Sequence, residues 1–224
     1  GATIDAASGA FHWRVDDDLG AGTNRVGIVV ADDGPGRLTA TQTVAIVVQP
    51  QWHAVINEIM DRPARSNAEF IELFNSSART TMELAGVQLT GSNLNFTFPA
   101  GARLAPGAFT VVARNLTAFA GTYPGAGPVA GTYTGSFGAA GDTLRLLSPQ
   151  GGTSPVLNEV TFRKTAPWPV AANGGGGSLQ LIDPTRDNNR SGNWAAIASN
   201  TLSNIPEWKY VTATGSAGDP RLYL

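Results

Sequence analysis

Cysteine is absent from this 224-residue chain. That excludes disulfide frameworks, thiolate nucleophiles and cysteine-based zinc sites. It does not locate the protein, because exported chains also do without cysteine. Lysine is nearly absent too, with only Lys164 and Lys209, and the net charge is −2. Arginines are scattered and interspersed with acids, Arg62, Arg65 and Arg79 coming nearest to a cluster. Each phosphate contact needs a cation, so no nucleic-acid partner is expected. No apolar run approaches the roughly 20 residues that cross a bilayer. Histidine occurs twice, His12 and His53, far apart and without a neighbouring acid constellation, so no triad is read here.

Turn-forming residues fill the space, with 27 Gly and 14 Pro among many Ala, Thr, Ser and Asn. Short runs of alternating character dominate: "RVGIVVADDG", "TQTVAIVVQP", "HAVINEIM", "EFIELFN", "GVQLTG", "GAFTVVAR", "DTLRLLS", "PVLNEVTF" and "SLQLID". Each is bounded by Gly, Pro, Asn or Asp. This predicts an all-β sandwich or barrel of many short strands. Pro106-Gly107 carries the preference of a type II turn. Only Arg114 to Gly125 invites a helix, of a turn or two, stopped by Pro124-Gly125. Gly174 to Gly177 reads as a flexible loop and not a phosphate cradle, because a strand follows it.

Glu69 and Glu72 pose the catalytic question, since paired carboxylates serve glycosidases and also decorate strand faces. Along a strand Ile71 and Leu73 share one face while Phe70, Glu72 and Phe74 share the other, and Glu69 falls with the first set. An acid and a nucleophile must flank one bond at about 5 Å, or about 6.5–9.5 Å for inversion. Opposite faces cannot supply that. Glu58 from a neighbouring strand remains a partner for Glu72, yet no catalytic histidine, tyrosine or cluster of aromatics accompanies them. A structural role is expected and no catalytic residue is assigned.

"VINEIM", "EFIELFNSS", "MELAGVQLTG", "FTFPAGARLAPGAFTVVAR", "GDTLRLLSPQG", "VLNEVTF", "WP", "GGGGSLQLID" and a closing "NW" together resemble a lamin-tail domain, in order and spacing, from His53 to Ala195. The resemblance implies an immunoglobulin-like β-sandwich of the kind found in bacterial secreted or surface multidomain proteins. It places Asn57, Glu58, Glu69, Glu72, Asn75, Gly107, Trp168, Pro169 and Trp194 in the fold motif. In that family the WP and NW tryptophans anchor loops to the core. Trp168, flanked by prolines, and Trp194 are also the candidate platforms for a stacking ligand.

Upstream, Ser8-Gly9-Ala10-Phe11-His12-Trp13 and Val30-Ala31-Asp32-Asp33-Gly34-Pro35 are similar to the second half of a cadherin-like or immunoglobulin-type repeat. Such repeats bind calcium between modules, which makes Asp32 and Asp33 candidate metal ligands. Calcium takes about six to eight oxygens, and two aspartates in one turn do not provide them; no cofactor is expected. The acidic run Asp16-Asp17-Asp18 reads as a solvated loop. The chain thus divides into 1–49, the end of one module; 52–196, the lamin-tail-like sandwich; and 197–224, a linker opening a third, jelly-roll-like module. Gly1-Ala2-Thr3-Ile4 reads as mid-domain sequence, leaving room for an export signal upstream.

The expected role is a non-catalytic interaction or structural module at the cell surface or in the secreted state. Its expected partners are neighbouring domains of the same polypeptide and a surface protein or polysaccharide ligand. A carbohydrate-binding accessory module of an extracellular enzyme is the competing class, and a calcium-dependent adhesion segment the third.

Overall fold

The computed structural model describes residues 2–15, 22–48, 51–149 and 155–197. The acidic run at 16–18, the linker at 49–50 and the expected third module from 198 onward lie outside the described residues.

Seventeen strands are described. The first four form two antiparallel hairpins: β1 (Ala2–Ile4) with β2 (Phe11–Trp13), and β3 (Gly22–Ala31) with β4 (Thr39–Val48). In chain order there follow β5 (Ala54–Met60), β6 (Phe70–Asn75), β7 (Met82–Glu83), β8 (Gln88–Thr90), β9 (Asn93–Thr97), β10 (Arg103–Leu104) and β11 (Phe109–Ala113). After the helix α1 (Leu116–Thr122) come β12 (Val129–Thr132), β13 (Thr134–Ser136), β14 (Gly141–Leu147), β15 (Val156–Arg163), β16 (Ser178–Leu181) and β17 (Trp194–Ile197).

Two sheets make the sandwich. One runs β12-β11-β6-β5-β16-β17, antiparallel except where β11 meets β12; the other runs β13-β9-β8-β14-β15. Alternation decides what lies between them. Ile56, Ile59, Ile71, Leu73, Val112, Leu179 and Leu181 from the first sheet meet Leu89, Leu94, Leu144, Leu146, Val160 and Phe162 from the second in one apolar core. An ion pair ties the layers at one end, Lys164 Nζ lying 2.6 Å from Asp61 Oδ2. The predicted all-β, immunoglobulin-like sandwich is the observed architecture.

The helix is as short as the sequence predicts. Asn115 caps it, its side chain accepting from the Ala118 N–H. Its buried face packs on the outer side of the first sheet, where Phe119 and Tyr123 join Met60, Ala68, Phe70, Val111 and Ala113 in a second apolar cluster. Phe70 meets Phe119 and Tyr123 edge-on, at 5.4 and 5.3 Å between ring centroids. The centre of this sheet is therefore buried on both faces.

Two glycines are required by geometry. Gly107 takes φ 66°, and the Ala108 N–H donates to the Ala105 carbonyl, closing the turn that Pro106-Gly107 predicts. At Gly135 a Cβ would sit 1.6 Å from the Asn93 carbonyl oxygen, at φ 88°. The glycine run also does more than form a loop, since Gly177 is buried and a Cβ there would lie 2.7 Å from the Ile197 carbonyl oxygen.

Gly135→Ala is expected to lower the melting temperature by several degrees, the backbone clash breaking the β13–β9 pairing. Asn115→Ala should cost about 1 kcal/mol through the lost cap. Thermal and urea unfolding followed by circular dichroism check both.

Candidate functional site

Glu58 and Glu72 stand directly opposite each other on β5 and β6, only 2% and 1% exposed. A bulge brings them together. The β5–β6 register shifts between Ile56 and Glu58, so Asn57 is the extra residue. Strict alternation would put Ile56 and Glu58 on one face. The bulge instead sends both Ile56 and Ile59 into the sandwich core and turns Glu58 outward with Met60. The outward face is not wet, contrary to the usual fate of a strand's polar side, because α1 covers it.

Few donors reach this pair. Ser178 Oγ donates to Glu58 Oε1, and Asn57 Nδ2 donates to Glu72 Oε1 at 3.0 Å. Glu72 Oε2, Asn57 Oδ1 and the Tyr123 hydroxyl are buried without a partner among the described residues. Asp142, buried in the other sheet, makes a contrast: it accepts from Ser92 N and Oγ, Gly138 N and Thr143 N. Burial pushes Glu58 up to about 7. Burial first, and then the charge of Glu58, push Glu72 up to about 8. The Tyr123 hydroxyl is raised as well, by burial and then by Glu58 and Glu69. No described cavity opens onto these carboxyls.

Glu69 is separate. It pairs with Arg114 across the strand ends, Oε1 to Nη1 at 3.2 Å. Asn75, fully buried, donates to the carbonyls of Thr80, Leu104 and Ala105 and accepts from Ser77 N, so it clamps the Gly107 turn to β6. Pro169 begins a single 3-10 turn over Val170–Ala172.

The tryptophans require a correction. Trp168 and Trp194 are 6% and 3% exposed, with centroids 6.0 Å apart inside the core. The Trp194 indole N–H donates to the Asn188 carbonyl at 2.7 Å. Neither ring offers a face to solvent, so neither is a stacking platform; both anchor loops. Asp32 Oδ1 accepts from Gly34 N and Leu38 N and so shapes the β3–β4 turn, with Asp33 exposed beside it. Among the described residues no three His, Asp or Glu side chains gather in a way that holds a metal. No described helix is long and apolar enough to cross a membrane.

What is open lies elsewhere. A groove of about 740 Å³ runs between the segment entering β5, the first residues of β15 and the loop at 184–189. Trp52, His53, Asn158 and Asn189 line it. The wall is fixed from behind: Asn158 Oδ1 accepts from Ile56 N, Asn188 Nδ2 donates to Asn158 Oδ1, and Asn189 Oδ1 accepts from Thr161 N. The Trp52 indole N–H donates to the Ala54 carbonyl while its ring packs against the core. The sequence alone did not single out these residues. The only signals were the tryptophan before "HAVINEIM" and the amide pair in "DNNR".

In this immunoglobulin-like β-sandwich the carboxyl pair is sealed and the polar groove is open. Residues 48–164, just over half of the chain, match the Lamin Tail Domain, and the chain belongs to that family, one of immunoglobulin-like, non-enzymatic domains. Neither the curated proteins nor the solved structures contain a match to it.

Raised carboxyl values mean that folding favours the protonated forms. Their stabilisation is complete below the ordinary value of 4.5, drains away as pH rises, and is gone above about 8. Asp5 and Asp183, held low by hydrogen bonds from Ser8 and Thr185, act below pH 3.8 and leave that window clear. Denaturant unfolding from pH 4.5 to 9 is expected to lose on the order of a few kcal/mol. Glu72→Gln should remove roughly half of this loss, the burial of Glu58 keeping the rest, and leave the chain more stable than the unaltered one at pH 9. An unchanged profile in Glu72→Gln would show that the pair is not its source.

Proposed function

We propose that this chain is a non-catalytic interaction and spacing segment of a larger exported bacterial protein. The observation that carries this reading is the separation of chemistry from access. The carboxyl pair that could run acid–base catalysis is sealed under α1. The accessible groove is built from amides, an imidazole and an indole on loops and an edge strand, the places where ligands are usually gripped. It works without a cofactor.

The multidomain context is supported by the β3–β4 ribbon. Val29, Val30 and Val47 are 61%, 65% and 60% exposed there, and a two-stranded ribbon is marginal in water alone. A neighbouring domain of the same polypeptide covering these side chains fits the reading of residues 1–49 as part of a cadherin-like or immunoglobulin-type repeat.

Protease shaving of intact producing cells, with an antibody against residues 52–196, tests the setting. Removal of the epitope from intact cells, or its recovery from the medium, is expected. Confinement to the cytosol would overturn the proposal. Glu58→Gln and Glu72→Gln are each expected to alter unfolding while leaving a panel of glycoside, ester and peptide substrates uncleaved, as the unaltered chain leaves them.

A further inference from the structure

We infer that the groove lined by Trp52, His53 and Asn189 is a binding site for an uncharged saccharide, an inference that rests on the reading of the chain as a binding module. Three features of the groove converge on that ligand class.

Its free hydrogen-bonding groups include two amides and an imidazole. The Gln51 amide, the His53 ring nitrogens and the Asn189 side-chain NH2 line the groove, and none has a hydrogen-bond partner among the described residues. Amides and imidazole offer donors and acceptors side by side, the set that a hydroxyl, itself donor and acceptor, can satisfy.

The charges around it are already matched. Glu159 pairs with Arg145, Arg186 with Asp183 at 3.0 Å, and Arg190 with Asp187 at 3.3 Å. Together these three pairs leave no surplus of either sign for an ionic ligand. Phosphate esters, nucleic acids and acidic glycans are therefore disfavoured, whereas a polyhydroxylated neutral ligand is not.

One aromatic ring is held in place. Trp52 is half-buried, its N–H fixed on the Ala54 carbonyl and its ring resting on the core. An indole locked in this way loses little entropy when a ligand covers it. Its apolar face suits the C–H face of a pyranose, while the polar groups around it suit the rim hydroxyls. The volume of about 740 Å³ lies within the range of about 300–1,000 Å³ usual for small-ligand sites.

The test is affinity electrophoresis of the 224-residue chain in gels holding soluble neutral polysaccharides (mixed-linkage β-glucan, xylan, galactomannan, arabinogalactan), with alginate and heparin as anionic controls. Retardation by at least one neutral polymer and by neither anionic one is expected. The paired change Gln51→Ala and Asn189→Ala, both at exposed positions, should weaken that binding at least about tenfold, the worth of one or two ligand hydrogen bonds, with the chain still folded and the Asn189→Ala loss limited to the one bond from Thr161 N. Gln51→Ala alone should weaken binding with the melting temperature unchanged. Trp52→Ala should abolish it; because this ring also touches the core, the surface pair carries the test if Trp52→Ala unfolds. Mobility unaffected by every neutral polymer, retardation by the anionic polymers alone, or neutral-polymer binding that the surface pair leaves intact would each overturn the inference. Loss of the saccharide result with the epitope still removed by shaving would sink this inference and leave the module reading standing. Cytosolic confinement would sink the module reading itself.

Discussion

A strand presents alternate side chains to its two faces, and at the centre of the six-stranded sheet both faces are covered. The second sheet closes one and α1 closes the other. From this follows the environment of every residue on β5, β6 and β11, including acids that a one-sided sheet would leave in water. Glu58 and Glu72 sit opposite each other in an apolar layer with Phe70, Phe119 and Tyr123 nearby. Ionising both would place two like charges in a medium that solvates neither. Burial therefore favours keeping a proton on the pair, which removes much of that cost.

The bulge at Asn57 is the local device that makes this possible. It lets β5 feed Ile56 and Ile59 into the interior while Glu58 faces its partner, and it frees the Asn57 amide to donate to Glu72. The bulge also opens a gap. β16 pairs with β5 only at Ile59 and Glu58, so the edge of β5 near Ile56 has no strand beside it. Two amides stand in for the missing strand: Asn158 accepts from the Ile56 N–H, and Asn188, itself held by Trp194, donates to the Ile56 carbonyl at 3.5 Å. The plug that satisfies this backbone is also the back wall of the groove. The buried pair and the open site are therefore two consequences of one irregularity in β5.

Much of the sandwich was legible because period-2 alternation and turn residues are local signals. The faces assigned to Ile71, Leu73, Phe70 and Glu72, the Pro106-Gly107 turn and the short helix after Arg114 all follow from spacing alone. The environment of Glu72 was not, because alternation tells which way a side chain points and not what lies there; α1 comes from more than 40 residues downstream. Trp168 left two readings open for a related reason. Flanking prolines stiffen a loop whichever way it faces, and here it faces the core. The groove was hidden more completely, since its walls come from three distant segments and its residues are amides of a kind found in any loop.

Catalysis needs an ionisable group, a water-accessible path to it and a place for the reacting bond, all at one point. At the Glu58–Glu72 pair these do not coincide. Glu58 and Glu72 have the perturbed carboxyls and no cavity. The groove has access; its acids Glu159 and Asp187 pair with Arg145 and Arg190, and His53 stands there beside Trp52 and the amides. The same β5 irregularity that sets Glu58 opposite Glu72 lies beside the amide plug on Ile56 that backs the open groove.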